Sequence, residues 1–306
     1  MSFYERVRAL PWLGVGPSTE YGAARTADAL DIEGLRARHP ENATFLELGV
    51  EVAKGLDDDA RRWLASGAPT TYHFLDINLD EPEDFDAAWL DGFRACVAEA
   101  RPAWLCGDAG LWHFGPRERG HMLLLPPILT DDTASALAEG IVRLRELTGL
   151  EVLPENPPGH VWIGDLHVLD FFARVCERAD TGMVLDCAHL AIGQRALGHL
   201  PLTGLDGFPC DRIVEMHVAG GTEREIHGFR YVDDDHNAAV LPDTWEVFEA
   251  ATARADNLRA VVFECERNTV EATLPGFARI RATLAAAGRG DQRRAASPSP
   301  QTGASR

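Results

Sequence analysis

The sequence predicts an α/β protein, a (β/α)8 TIM barrel, from three observations. Short apolar runs occur eight times along the 306 residues. Most intervals between these runs hold a segment of helical composition, and strands that alternate with helices form parallel sheets. No Gly-x-Gly-x-x-Gly motif follows the first run, although the rival open sheet that binds dinucleotides carries one there. The count of eight therefore favours a closed barrel.

The predicted strands follow the apolar runs in chain order. The seventh begins as a β-branched run and carries Glu215 and His217, which period-2 alternation places on the same face of the strand. Two ionisable groups on one face of a buried strand indicate a functional site. The eight predicted strands span residues 12–16, 45–50, 71–76, 103–109, 151–156, 182–190, 212–220 and 260–266.

Six segments between the strands are predicted to be helices. Several begin with acidic or hydroxyl residues, which cap free backbone N–H groups and complement the helix dipole. Gly149 follows the third segment, as expected of a helix stop. The six segments span residues 57–66, 84–101, 131–148, 164–178, 243–254 and 270–287.

Two intervals depart from a plain helix. Residues 112–130 form a loop with Pro, Gly and Arg, and residues 222–242 form an acidic loop that contains His. Long loops inside a compact barrel are usually lids or binding loops. Because no repeat or linker interrupts the pattern, residues 1–288 are predicted to be a single TIM-barrel domain. Residues 289–306, rich in Ser, Pro, Gln and Arg, are predicted to be a disordered C-terminal tail.

Charge and cysteine content narrow the class of protein. The formal net charge of −19 argues against nucleic acid and anionic membrane as partners. The six cysteines form no Cys-x-x-Cys pair, so we expect a reducing compartment and no disulfides. The N-terminal segment lacks the apolar core of a signal peptide, and no run is long enough to span a bilayer. These features predict a cytoplasmic protein.

Ligand-type side chains stand at the ends of most predicted strands. Since these ends meet at one mouth of a parallel barrel, the side chains are expected to converge. Crowded carboxylates repel one another at low dielectric, and metal ions relieve the repulsion. The mixture of His, Asp, Glu and Asn suits iron, manganese or zinc, and its size favours two or three ions. The strand-end residues are Glu47, His73, Asp76, Asp108, Glu155, Asn156, Asp186, His189, Glu215, His217, Glu264 and Glu266, and the loop after the seventh strand adds Asp234 and His236.

Each residue taken alone has a simpler explanation. A strand-end carboxylate often caps a helix, and Glu47 fits that explanation best because no His accompanies it. Asp108 can cap the following loop, Glu266 can pair with Arg267, and a lone His such as His73 is more often a core residue. The joint pattern nevertheless favours a metal site. In the loop 112–130, His113, Arg117 and Arg119 are expected to contact the substrate, since Arg binds carboxylates.

The same residues carry a family resemblance. From about Leu10 to Asn268 the chain resembles the multinuclear non-heme iron-dependent oxidative enzymes (MNIO), which modify ribosomally synthesised peptides. The resemblance implies a barrel related to xylose isomerases. The motifs that carry it are Tyr72-His73-Phe74, Leu153-Pro154-Glu155-Asn156-Pro157, Leu185-Asp186-Cys187-Ala188-His189, Glu215-Met216-His217-Val218-Ala219-Gly220, Asp234-Asp235-His236 and Glu264.

Two departures from the family pattern affect the expected site. Ala109 occupies the place of a His that many members have at the fourth strand, so the third metal position falls to Asp108 or His113, or is weakly filled. Residues 71–76 and 106–113 look closest to the methanobactin-synthesis branch, which converts Cys to an oxazolone with a neighbouring thioamide.

The resemblance implies an enzyme that uses two or three iron ions, in mixed Fe(II) and Fe(III) states, together with dioxygen. Its substrate would be a Cys, or in some relatives an Asp or Asn, of a precursor peptide in natural-product biosynthesis, delivered by a small partner protein. Asp186, His217 and Glu264 are expected to be catalytic. The expected metal ligands are His73, Asp108, Glu155, Asn156, Asp186, His189, Glu215, His217, Asp234, His236 and Glu264.

Two other functions stay open. One is a divalent-metal sugar isomerase or epimerase, or an endonuclease-like hydrolase, on the same barrel. Such enzymes often place a catalytic Lys in the mouth, whereas the only lysine, Lys54, follows the second strand. The other is a non-catalytic scaffold that binds metal or peptide.

Overall fold

Eight parallel strands close into a barrel in the computed structural model, which describes residues 1–22, 29–115, 119 and 123–289. The eight barrel strands are β1 (Gly14–Gly22), β2 (Leu46–Val50), β3 (Thr70–Phe74), β4 (Leu105–Asp108), β5 (Val152–Glu155), β6 (Met183–Asp186), β7 (Ile213–Ile226) and β9 (Ala260–Glu264), and a ninth strand, β8 (Phe229–Asn237), pairs with β7 outside the barrel. Neighbours pair in chain order from β1 to β7, then β7 pairs with β9 and β9 with β1. The prediction of a (β/α)8 barrel is confirmed.

Most of the helices follow the strands in alternation, and their ends obey the capping rules used for the prediction. The side chains of Asp57, Asp86 and Thr130 each accept a hydrogen bond from a backbone N–H in the first turn. Gly149 ends the longest helix with φ of 72°, a conformation that glycine adopts without strain. The helices are α1 (Phe3–Ala9), α2 (Ile32–Arg38), α3 (Asp58–Ala65), α4 (Ala87–Ala100), α5 (Asp131–Thr148), α6 (Val168–Ala179), α7 (Cys187–Ala196), α8 (Pro242–Thr252) and α9 (Val270–Ala286).

An apolar plug fills the N-terminal end of the barrel. Phe3 and Val7 on α1 are fully buried and belong to an interior cluster with Phe45, Trp104 and Val262. The backbone of Val7 also accepts hydrogen bonds from Arg259, just before β9. Because this end is closed by packed side chains, the polar strand ends share one open mouth at the other end.

Two predicted elements differ from the structure. The predicted strand 182–190 is a strand followed directly by a helix, since β6 ends at Asp186 and α7 begins at Cys187. The apolar composition continues across that junction, so the sequence does not mark the change. The predicted loop 222–242 is instead a hairpin in which β8 pairs antiparallel with an extended β7. Its turn places His227 at φ of 51° and Gly228 at φ of 83°, the two positive φ angles of a tight hairpin turn.

Three smaller expectations concern the ends of the chain and its cysteines. Residues 290–306 of the predicted tail lie outside the described part of the chain, and Arg289 follows α9 with a buried side chain. All six cysteines are free and buried. Among the described residues, no helix has the length and apolar character that a membrane crossing requires.

Candidate metal centre

The C-terminal strand ends open into a cavity of about 610 Å³. The structure brings most of the predicted ligands into three groups around it. Within each group the donor atoms lie within 4.8 Å of one another, which is close enough to hold a metal ion.

The first group contains His73 from β3, Asp108 from β4 and Glu155 from β5. His73 Nε2 lies 2.9 Å from Glu155 Oε2 and 3.7 Å from Asp108 Oδ2. Of the two residues expected to replace the missing His at position 109, it is Asp108 that reaches the group.

The second group contains Glu155, Asp186, His217 and Glu264, all buried. His217 Nδ1 lies 3.1 Å from Glu155 Oε1 and 3.4 Å from Glu264 Oε1. Glu155 therefore directs one oxygen at His73 and the other at His217. A carboxylate in this position can bridge two ions.

The third group contains His189 from α7 and two residues of the hairpin, Asp234 and His236. His189 Nε2 lies 2.9 Å from Asp234 Oδ2, and His236 Nε2 lies 3.9 Å from the same oxygen. The hairpin is therefore part of the site. Without the antiparallel return of β8, neither Asp234 nor His236 would reach the mouth.

Charge crowding perturbs the pKa values of these groups. Burial lowers the pKa of His73, but its hydrogen bond to Glu155 and the charges of nearby carboxylates outweigh that effect and raise the pKa to about 9. Burial and the charge of Glu155 raise the pKa of Asp108 to about 7. At His189 and His217, carboxylates likewise outweigh burial, and the pKa lies well above the usual value. In the absence of metal ions, protons held by these histidines therefore balance the negative charge of the carboxylates.

Several buried atoms of the three groups have no hydrogen-bond partner. Buried polar atoms in folded proteins are almost always paired, and a cation in each group would pair these. The residues therefore fit metal ions on the chemistry of their donor sets. The unpaired atoms are Asp108 Oδ1, Glu155 Oε1, Asp186 Oδ2, Asp234 Oδ1, Glu264 Oε2 and both ring nitrogens of His217.

Two carboxylates that the sequence interpretation treated as ordinary residues contact the site. Glu266 Oε2 lies 2.7 Å from His236 Nδ1, and Ser18 donates a hydrogen bond to the other oxygen. Glu47 is buried, and its Oε2 lies 3.4 Å from His217 Nε2. Glu266 lies just beyond the C-terminal end of β9, which was a usable signal, whereas Glu47 is the second residue of β2. Their histidine partners are on distant segments, so spacing along the chain gave no hint of the pairing.

Glu215 lies two residues deeper in the barrel than His217. Its Oε2 accepts a hydrogen bond of 2.6 Å from Trp104 Nε1, and it forms a further donor group with Glu47 and Cys106. Burial and the charge of Glu47 raise the pKa of Glu215 to about 8. It therefore stands below the three groups rather than within them.

Three of the predicted site residues engage other parts of the protein. Asn156 uses both ends of its amide on the backbone of Asp186, with two hydrogen bonds of 3.0 Å, and so positions Asp186. His113 is fully buried, and its Nε2 lies 2.8 Å from Oδ2 of Asp84. Arg119 donates to the backbone of Asp76 and to the carboxylate of Asp86. Neither His113 nor Arg119 lines the cavity.

Those two residues instead hold the β4–α5 loop against the segment before α4. Arg117, the third residue expected to contact the substrate, lies outside the described residues.

Solved structures with the same fold come from several classes of barrel enzyme. A xylose isomerase-like TIM barrel protein from Mycobacterium smegmatis in complex with magnesium has a TM-score of 0.58 and 10% identity, covering 92% of this chain and 98% of that one. An L-ribulose 3-epimerase has a TM-score of 0.53 and 14% identity, covering 94% and 99%. Endonuclease IV from Thermus thermophilus has a TM-score of 0.50 and 15% identity, covering 89% and 99%. At these identities the likeness establishes the xylose isomerase-like fold alone.

Comparisons of sequence are more specific. A UPF0276 protein of Caulobacter vibrioides (strain NA1000 / CB15N) is 28% identical over 255 residues, which cover 80% of this chain and 84% of that protein. A UPF0276 protein of Anaeromyxobacter sp. (strain Fw109-5) is 22% identical over 244 residues, which cover 75% and 83%. The family described as "RiPP precursor modification enzyme MbnB/TglH/ChrH" matches residues 32–287, a span that includes all three donor groups. The chain therefore belongs to the MbnB/TglH/ChrH family of RiPP precursor modification enzymes.

Proposed function

We propose that this chain is an iron- and dioxygen-dependent oxidase that modifies a ribosomally synthesised precursor peptide, with Cys as the first candidate target and Asp or Asn as alternatives. One observation supports this above others. Glu155 joins two buried donor groups, and a third group stands within reach through His189, whose Nδ1 is 3.6 Å from Glu155 Oε1. Such a cluster suits two or three ions, and family membership favours iron in mixed Fe(II) and Fe(III) states.

Under this proposal the three groups hold the ions, and Asp186, His217 and Glu264 stand closest to the reaction. Iron, when bound, would supply the electrons and open coordination positions that dioxygen chemistry needs. The chain itself orients the ligands. Asn156 fixes the backbone of Asp186, and Glu266 fixes the ring of His236 through Nδ1.

The lining of the cavity favours a peptide over the sugar and nucleic-acid alternatives. Among the described residues that line it, none is Lys or Arg, so the described lining offers no ammonium or guanidinium group to a phosphate. Lys54 pairs with Glu51 and is not part of the lining. Part of the wall is apolar and includes Leu75, Trp112 and Leu124. An apolar wall beside a polar floor suits a peptide side chain that presents one reactive group.

The proposal extends to the setting of the enzyme. Residues 1–288 would act as one catalytic domain in the cytoplasm, where free thiols persist. A small partner protein would deliver the precursor peptide. Nucleic acid and anionic membrane are not expected as partners, because the net charge of −19 opposes both.

Metal analysis after anaerobic purification tests the proposal. We expect more than one equivalent of iron per chain, and dioxygen uptake that depends on a precursor peptide encoded beside the gene. His217→Ala should lose iron while its circular dichroism spectrum stays unchanged. His199→Ala, which alters a histidine outside the cavity, should keep full iron. Zinc or magnesium alone in the wild-type protein, or full iron in His217→Ala, would contradict the proposal.

A further inference from the structure

Large apolar side chains that are exposed to solvent concentrate around the mouth. Of the eleven such side chains among the described residues, seven lie in the loops that leave β4 and β5 and in the β7–β8 hairpin. A contiguous patch of exposed apolar side chains often marks a binding surface, whereas exposed apolar residues scattered singly do not. We call these seven residues the apolar collar: Phe114, Leu125, Ile128, Val161, Ile163, Ile226 and Phe229.

The three segments of the collar are tied to one another. The backbone N–H of Leu129 donates a hydrogen bond of 2.7 Å to the carbonyl of Ile163, which joins the first segment to the second. His160 Nε2 lies 2.7 Å from the carbonyl oxygen of Val232, which joins the second segment to the hairpin. The His160 ring also meets the Tyr231 ring edge to face at 5.5 Å. The collar is therefore one connected rim rather than three independent loop tips.

The collar leads into the metal centre. Leu125 and Val161 line the 610 Å³ cavity together with His73 and His189. Phe229 and Tyr231 line a second cavity of about 340 Å³ between the hairpin and α7. His160 lines both cavities. The two cavities therefore adjoin at His160, and a chain that lies across the collar reaches from the outer cavity to the cavity that holds the donor groups.

The charges around this path select against an acidic occupant. Asp233, Asp234, Glu264 and Glu266 line the inner cavity, and no described lining residue is Lys or Arg. The arginines of the outer cavity are already paired, as Arg195 is with Glu223 and Arg230 with Glu225. Outside the donor groups, a carboxylate on the occupant would meet like charge and no unpaired Lys or Arg among the described lining residues.

We propose that the apolar collar docks the stretch of substrate polypeptide next to the modified residue, and that this stretch carries large apolar side chains and no acidic ones. The inference rests on the proposed function, because it names the peptide that reaches the metal centre. The collar holds the peptide by burial of its apolar side chains, and the donor groups act on the residue that enters the inner cavity.

Binding of three blocked, fluorescein-labelled heptapeptides to the metal-containing protein tests the inference. Each peptide has a central Cys. Two have Gly at both ends and carry Leu-Phe or Ser-Asn on each side of the Cys, and the third has Leu-Phe on each side and Glu at both ends. Anisotropy is measured under argon, so that no oxidation occurs. We expect the Leu-Phe peptide to bind at least about tenfold more tightly than either of the others, since one buried Leu or Phe contributes that much.

Because the collar side chains are exposed, replacing them should change peptide binding without unfolding the protein. Val161→Ser combined with Phe229→Ser changes side chains that are 73% and 63% exposed, and should weaken the Leu-Phe peptide by about tenfold. Leu200→Ser changes a side chain that is 78% exposed beyond the C-terminal end of α7, and should leave binding unchanged.

Three results would overturn the inference. The first is equal affinity for the three peptides, and the second is full affinity in the collar variant. The third is a wild-type dimer that the collar variant dissociates in sedimentation, because a second copy of the chain would then be the occupant. Iron content of the same preparations is measured separately. A preparation that binds the Leu-Phe peptide but lacks iron contradicts the oxidase proposal and leaves the collar standing.

Discussion

Glu47 illustrates how a single residue acts through a histidine. Its Oε2 lies 3.4 Å from His217 Nε2 and accepts hydrogen bonds from Thr71 and from Cys106, at 3.3 and 3.1 Å. The other ring nitrogen, Nδ1, faces Glu155 and Glu264. His217 in turn forms, with Glu47 and His73, another set of donor atoms close enough to hold an ion. A carboxylate beside the ring of a metal-binding histidine orients that ring, so Glu47 helps to fix the directions in which His217 presents its two nitrogens.

Replacing Glu47 with Gln should weaken metal binding without unfolding the protein. Loss of such a carboxylate lowers metal affinity by about 10- to 100-fold, and we expect that range for the ion at His217. Competitive titration of chelator-treated protein with Fe(II) measures the change. Glu51→Gln is the control, because Glu51 is a buried carboxylate beyond the end of the same strand that pairs with Lys54. Unchanged affinity in Glu47→Gln would assign Glu47 to packing alone.

Asn156 allows a sharper substitution, Asn156→Asp. A carboxylate would strengthen metal binding if residue 156 were a ligand. If the residue is a clamp, Asp removes the N–H that bonds the Asp186 carbonyl and sets two acceptors against each other, at a cost of about 1–3 kcal/mol in the free energy of unfolding. We expect the second result, in urea unfolding, together with reduced iron. Asn257→Asp removes a comparable bond to the Asp211 carbonyl and should lower stability with iron retained.

At the scale of elements, the β7–β8 hairpin combines two tasks. Its base supplies Asp234 and His236 to the third donor group, and its outer part supplies Ile226 and Phe229 to the collar. The turn that joins the strands depends on Gly228, where φ is 83°. A Cβ there would meet no neighbouring atom within 4 Å, so any effect of substitution comes from backbone strain in the turn.

Gly228→Val should loosen the third donor group selectively. A β-branched residue at positive φ costs about 1–2 kcal/mol, and relief of that strain shifts the strands that position Asp234 and His236. We expect lower metal content by elemental analysis, by up to one equivalent. Gly67→Val is the matched control, since Gly67 has φ of 72° and equally open surroundings after α3. If both variants keep full metal, the turn does not govern the position of the ligands.

The elements that the sequence predicted are those with a strong local signal. Each barrel strand is an apolar run with a polar end, and helices such as α5 carry both a capping residue and a terminal glycine. The hairpin was predicted as a loop because its charged residues come in runs, Glu223-Arg224-Glu225 and Asp233-Asp234-Asp235, instead of alternating with apolar ones. The surroundings of Asn156 and His113 could not be predicted for a different reason. Their contacts, the backbone of Asp186 for Asn156 and the carboxylate of Asp84 for His113, become neighbours only through the tertiary fold.

At the scale of the whole molecule, the barrel separates two kinds of interior. The N-terminal half is an apolar plug that stabilises the fold, and the C-terminal half is a layer of carboxylates and imidazoles that destabilises it unless the charges are balanced. Metal ions or protons can supply that balance. The raised pKa values of the histidines indicate that protons do so in the metal-free protein.

This charge balance predicts that the stability of the metal-free protein depends on pH and that bound metal weakens the dependence. The pKa of His73 is raised to about 9 in the folded, metal-free chain, against about 6.5 in an unfolded chain. A raised pKa adds stability that is complete below the unfolded value and is lost as the pH rises through the folded one. Chelator-treated protein should therefore have a melting temperature about 5 °C lower at pH 9.5 than at pH 7. The melting temperature of metal-loaded protein should change less, because its metal-bound imidazoles carry no extra proton to lose. Calorimetry at both pH values measures this. His73→Gln, which removes one titrating group, should reduce the decline in the metal-free protein, and a metal-free melting temperature that is flat over this range would contradict the charge balance inferred for the site.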